Sequence, residues 1–182
     1  ALVLTAPGIP MLFQGQEFLE DGWFQDTVPL DWHRSEKFCG LVRLYRDLIH
    51  LRLNRFDSTK GLTGSGLNTF HQNQADNMIA YHRWHQSGKG DDVIVVVNLS
   101  HTPHQGYRLG IPASGIWRVR FNSDWNGYSP SFANTICEDV DAFPIQSNPA
   151  TPDIPPLRDG FRNEALVNIG PYSVLILSQN KD

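Results

Sequence analysis

The sequence predicts a mainly β protein, an antiparallel β-sandwich preceded by one strand–helix unit of a larger α/β layer. Three observations lead there. Twelve prolines and fifteen glycines in 182 residues require many turns. After residue 67 the apolar residues come in short, turn-bounded bursts of strand length. Only the stretch from Glu36 to about Arg55 repeats its apolar residues at helical spacing.

The elements follow in chain order. Leu2 to Ala6 reads as the last turns of a helix, stopped by Pro7-Gly8. Ile9-Pro10-Met11-Leu12-Phe13 is a short apolar run and reads as a buried strand, its proline tolerated near the start. Gln14-Gly15-Gln16-Glu17 turns the chain abruptly polar, and residues 18–35 read as an irregular loop holding Trp23, Phe24 and Trp32. In the helix that follows, Phe38, Leu41, Val42, Tyr45, Leu48, Ile49 and Leu53 form one stripe, with Ser35 as its N-cap. Gly61 to Gly66 is a Gly/Ser/Thr-rich link.

Met78–Trp84 is a strand, and residues 87–92 are a turn. Val93 to Leu99 is apolar at successive positions, so it reads as a central strand covered on both faces. Tyr107–Ile111 and Ile116–Phe121 follow. Strand alternation puts Trp117, Val119 and Phe121 on one face and Arg118 and Arg120 on the other. Residues 122–160 form a long polar, proline-rich excursion. Ala165–Ile169 and Ser173–Leu177 close the chain as a hairpin around Gly170-Pro171.

A lone strand–helix pair cannot bury both its faces. Ala1 to Ala6 also starts in mid-hydrophobic stride, without a Met. Residues 1–60 are therefore expected to be the last unit of a larger α/β domain, residues 61–67 a linker, and residues 68–182 an all-β domain able to close a core of its own.

Composition narrows the function classes. The net charge is -4, from 15 basic and 19 acidic residues, which offers neither a nucleic-acid footprint nor a polybasic membrane patch. No apolar run is long enough to span a membrane, and the start has no basic region of a signal peptide. Cys39 and Cys137 cannot make a disulfide framework; reduced thiols and a cytoplasmic location are the expectation. His82 and His85 lie three apart on a strand, so their rings face opposite sides and do not suit a metal. His101 and His104 read as a solvated turn, and Asp139 and Asp141 lack calcium-loop spacing. Trp125 and Tyr128 sit in a polar loop, where exposed aromatics can stack on sugar.

Pro7-Gly8-Ile9-Pro10-Met11-Leu12-Phe13-Gln14-Gly15-Gln16-Glu17-Phe18 resembles the eighth barrel strand of the α-amylase superfamily. Pro29-Leu30-Asp31-Trp32-His33 before a helix narrows the likeness to the 1,4-α-glucan branching enzymes. Val93–Leu99, Gly106 to Pro112, and Trp117-Arg118-Val119 with Asn122-Ser123-Asp124 are similar to that family's C-terminal β domain.

The resemblance implies that residues 1–60 end a (β/α)8 barrel and that the whole protein is a retaining transglycosylase acting on α-1,4-glucan (glycogen, starch or amylose). It implies no metal or organic cofactor. Barrel chemistry sits at the C-terminal ends of the strands. Gln16 and Glu17 would follow the eighth strand into that mouth, where amides and carboxylates suit sugar hydroxyls. Trp23 and Trp32 suit stacking on sugar rings. Alternatively, Glu17 pairs with a basic barrel residue and the tryptophans only fill the loop.

The family's reaction needs two carboxylates about 5 Å apart, a nucleophile and an acid/base. In the family these carboxylates, with a third that helps stabilise the transition state, sit on earlier strands, within an Arg-x-Asp motif, at a Glu and within an Asn-His-Asp motif. The sequence has no Asn-His-Asp, and Arg46-Asp47 lies in the helix. No catalytic residue is therefore expected here, and the chain's own role is structural or accessory. The alternatives are a non-catalytic carbohydrate-binding module and a fragment of an α-glucan hydrolase.

Overall fold

The computed structural model describes residues 1–147 and 156–181; residues 148–155 of the polar excursion, and residue 182, lie outside the described residues. Three short stretches are α-helical: α1 (Leu2–Thr5), α2 (His33–Lys37) and α3 (Cys39–Arg52). Eight strands follow: β1 (Gly66–Asn73), β2 (Met78–Trp84), β3 (Val93–Asn98), β4 (His104–Ile111), β5 (Gly115–Asn122), β6 (Val140–Pro144), β7 (Asn163–Ile169) and β8 (Val174–Ser178). They form one antiparallel sheet in the order β1-β2-β3-β8-β5-β6-β7-β4, curled so that its two halves face each other. The predicted mainly β, sandwich-like architecture is the one observed.

The centre of the molecule is the β3–β8 pair, and it is covered twice. Ile94 and Val96 of β3, with Leu175 and Leu177 of β8, face the inside of the sandwich. There they meet Leu109, Ile111, Trp117, Ala165 and Val167 from the opposite half. Val93, Val95, Val97 and Ile176 point the other way, onto Leu4, Leu48, Leu51 and Leu62. Two apolar layers explain why β3 is apolar at successive positions. They also divide the work: the all-β part lines the inner core by itself, while α1 and α3 help cover the outer one.

Four local readings change. Ile9–Phe13 is not a strand; the segment is irregular, with Ile9 97 % and Met11 83 % exposed. Ser35 does not cap a helix. It lies inside α2, and Phe38 separates α2 from α3. In β5 the register shifts between Val119 and Phe121. That bulge inverts the facing, so Trp117 enters the inner core and Phe121 the outer one, although strict alternation had them together. Residues 60–63 form a short 3-10 turn with Gly61 and Leu62 buried.

The N-terminal segment is held to the sandwich by two arginines. Arg83, next to the end of β2 and fully buried, donates to the carbonyls of Gly66 (2.8 Å), Gly64 (2.6 Å) and Thr5. Burial lowers its pKa. Arg52 of α3 donates to the carbonyls of Ala6 (2.7 Å) and Gly8. The Tyr81 and Thr5 hydroxyls meet at 2.5 Å. The chain leading to Ile9 is thus clamped from a strand and from a helix.

Candidate functional site

The segment after Phe13 owes its shape to Gly15. Its φ is +81°, and a Cβ there would sit 2.5 Å from that of Glu20, so a side chain is excluded on both counts. The chain then makes one 3-10 turn, Gln16–Phe18. Phe18 is buried, with its ring 5.4 Å from that of Trp32.

Glu20 organises the next stretch. Its carboxylate accepts the Gly22 and Asp31 N–H groups, each at 2.9 Å. Those backbone donors, Gly22 first, hold its pKa below the usual carboxylate value. Arg34 donates to the Leu19 carbonyl and pairs with Asp21 at 3.1 Å. Phe13 and Phe24 pack edge to face at 5.6 Å. The result is a shaped loop enclosing a cleft of about 320 Å³ between Phe13, Gln16, Leu19, Trp23 and Leu30.

Of the four residues singled out in the sequence, Gln16 and Trp23 share this cleft, whereas Trp32 does not line it and packs against Phe18. Gln16 Oε1 accepts the Phe13 N–H at 3.3 Å, and Trp23 is 93 % exposed. Glu17 lies in a neighbouring cleft instead, against Val42, Tyr45, Arg46 and Ile49 of α3. Burial, and then the Glu17 carboxylate, raise the Tyr45 phenol's pKa. Among the described residues Glu17 has no ion pair; Arg46 is turned to Asp47 at 3.5 Å. An indole wall beside an amide can take a sugar ring, but a proton-transfer pair is not assembled here.

Glu20, Arg34, Arg52 and Arg83 shape this region and were not singled out from the sequence. A signal existed for Arg83, a charged residue within an otherwise apolar strand. Glu20 acts on backbone N–H groups, and Arg34 on a carbonyl and on Asp21, contacts that no spacing reveals.

Several of the remaining sequence candidates have structural partners, whereas His104 opens β4 instead of a solvated turn and its Nε2 is buried without a hydrogen-bond partner among the described residues. His82 Nε2 meets Asp92 Oδ1 at 2.9 Å, and the His85 N–H donates to Asp91 Oδ1 at 2.7 Å. Asp139 accepts from Arg118 at 2.6 Å. Arg55-Phe56-Asp57, not singled out from the sequence, also has an Arg-x-Asp spacing, and its Asp57 is in a surface ion pair with Lys181 at 2.9 Å. Tyr128 is buried, not exposed, and donates to Asp47 Oδ2 at 2.9 Å. Burial, then Asp47, push its pKa up. Among the described residues no three His, Cys, Asp or Glu side chains come together as a metal would need, and no helix is long and apolar enough to cross a membrane.

Comparison with known proteins identifies the family. The 1,4-alpha-glucan branching enzyme GlgB of Pseudomonas syringae pv. syringae is 30% identical over 183 residues, covering 98% of this chain and 23% of that protein. GlgB 1 of Xanthomonas campestris pv. campestris is 36% identical over 135 residues, 67% of this chain and 17% of that protein. The chain therefore spans about a fifth of the length of such relatives. A pullulanase structure from Anoxybacillus sp. LM18-11 shares the fold, with a TM-score of 0.56 at 18% identity, over 98% of this chain and 22% of that one. Residues 70–180 match the alpha amylase, C-terminal all-beta domain. The chain belongs to that family.

Proposed function

We propose that this chain is the C-terminal part of a 1,4-α-glucan branching enzyme. The whole protein cleaves an α-1,4 bond, holds the chain as a covalent glycosyl-enzyme and transfers it to a sugar 6-hydroxyl. The observation that carries this reading is the match to a branching enzyme across 98% of the chain, through residues 1–60 as well as the β domain.

On this reading residues 1–60 end the catalytic barrel, 61–67 link it to the β domain, and 68–182 are that domain. The exposed Ile9, Met11 and Phe13 support it, because an apolar run with no strand beside it among the described residues suits a place in a larger sheet. Gln16 and Trp23 face bound glucan from the barrel mouth, and Glu17 lies at its edge. The acid/base and nucleophile come from the earlier strands, so this chain's own part is to cover the barrel and shape one wall of the cleft. The protein works in the cytoplasm, on glycogen or a related α-glucan.

The test is to supply amylose to the full-length protein and score α-1,6 branch points in the product. New branch points without a matching rise in reducing ends are expected. Reducing ends without branch points would identify a hydrolase instead. The 182-residue chain should do neither; turnover by it, abolished by changing one of its own acids, would contradict the assignment of the chemistry to other strands.

A further inference from the structure

A second cleft, of about 460 Å³, opens in the loop after β5 and shares no residue with the Trp23 cleft. That volume falls within the roughly 300–1,000 Å³ of small-molecule sites. Its wall is built rather than incidental. Asp124 is buried and accepts the Ala133 N–H (3.0 Å) and the Thr135 N–H (2.8 Å). Asn122 donates to the Thr135 carbonyl at 2.8 Å and accepts the Asp124 N–H at 3.0 Å. These bonds zip residues 122–124 to residues 133–135. Asn134, in the left-handed region at φ +57°, accepts the Asn126 N–H at 3.2 Å and so fixes the loop tip.

On this frame sits Trp125, and it is held on several sides. Gly127 lies so close that a Cβ there would be 2.4 Å from the six-membered part of the indole. The Tyr128 ring meets it edge-on at 5.0 Å, and the Arg43 guanidinium lies 5.9 Å from its centre. Tyr128 is in turn fixed by Asp47. Yet Trp125 is 42 % exposed and lines the cleft, beside Asn122, Asn134 and Thr135.

An aromatic ring held in place before binding loses little entropy when a ligand stacks on it. The charge around it selects the ligand. Arg120, which also lines the cleft, already donates to Ser178 Oγ (2.8 Å) and Asn180 Oδ1 (2.6 Å). No lysine lines the cleft, so an anion finds little there. A ring with an apolar C–H face and neutral hydroxyls fits indole, amide and hydroxyl groups together.

We infer that this cleft is a binding site for a neutral oligosaccharide, with Trp125 as its platform and Asn134 and Thr135 as its polar contacts. Its ligand is an α-1,4-linked glucan, an identification that rests on the proposed function. Such a site, on the β domain, would hold a long chain while a distant part of it reacts.

The test is an NMR titration of the 182-residue chain with maltoheptaose, with cellohexaose in parallel. Maltoheptaose is expected to shift the Trp125 indole N–H and the amides around residues 122–135. Trp125→Ala should weaken that binding roughly tenfold or more, and Trp125→Phe should restore part of it. A titration that leaves the Trp125 indole unmoved overturns the site, whatever the variants do. So does undiminished binding at these amides by a folded Trp125→Ala chain. Preference for cellohexaose would overturn the α-glucan identification. The branch-point assay on the full-length protein decides the proposed function separately.

Discussion

Two apolar runs in this chain look alike as sequence and end up in opposite places. Ile9–Phe13 and Val93–Asn98 are both short and mostly apolar. In β3 every residue is buried, whereas in the first run Ile9, Met11 and Phe13 are exposed. The difference lies in the neighbours. β3 has β2 on one edge and β8 on the other to take its backbone groups, and an apolar layer on each face. Residues 9–13 have Arg52 and Arg83 holding the chain just before them and no strand beside them among the described residues. An apolar run thus reports a demand for partners, and the supply of partners decides burial.

The comparison can be broken most severely by removing what covers β3. A chain beginning at residue 65 would bare Val93, Val95, Val97, Val174 and Ile176 together. Each buried aliphatic side chain contributes about 1.5–3 kcal/mol, which in sum rivals the roughly 5–15 kcal/mol stability of a whole domain. The expected result is loss of the cooperative melt seen by near-UV circular dichroism. A sharp transition at the parent chain's temperature would show that the outer face needs no cover.

Arg83→Met should come next. It leaves carbonyls of residues 5, 64 and 66 without their buried donor, at a cost of roughly 3–5 kcal/mol. Urea unfolding should show a lower midpoint, and hydrogen exchange should show residues 4–8 released first. Arg83→Lys, keeping the charge but losing the fork, should recover only part of this.

Paired substitutions sharpen the contrast directly. Leu48→Ala, in the outer core, should cost about 2–5 kcal/mol. Ile9→Ser should change stability by no more than about 0.5 kcal/mol and reduce self-association. Similar costs for the two would deny that the runs differ.

The smallest effect is electrostatic. The Arg118 hydrogen bond depresses the pKa of Asp139. The pair's stabilisation is therefore complete above the unfolded carboxyl's pKa of about 3.9 and is lost as pH falls through the lower folded value. Both side chains are more than a third exposed, so the contribution should stay below about 1 kcal/mol. Arg118→Ala should reduce this acid-limb slope in stability measured between neutral and acid pH, the Val119 N–H still holding part of it.

Much of the sandwich was legible because buried central strands announce themselves. β2, β3, β5, β7 and β8 carry continuous or alternating apolar residues, and their positions were read to within two residues. β1 was missed because it is an edge strand, mostly polar and half exposed, so no packing constraint marks it. β6 is five residues long, ends in proline and hides in a polar stretch. The β5 bulge was invisible because pattern reading assumes an unbroken period of two. At the candidate site, Gln16 and Trp23 stood out by residue type and position. The separation of Glu17 from Gln16 did not, because it depends on how one 3-10 turn aims successive side chains.

On the proposed function, residues 9–13 lie open in this chain and are covered in the full-length branching enzyme. Hydrogen exchange of both proteins, comparing Met11–Phe13 with Val93–Val97, measures that. The account predicts fast exchange of Met11–Phe13 here, strong protection of the same amides in the full-length protein, and strong protection of Val93–Val97 in both. Equal protection of Met11–Phe13 in the two proteins, with this chain proven monomeric, would contradict it.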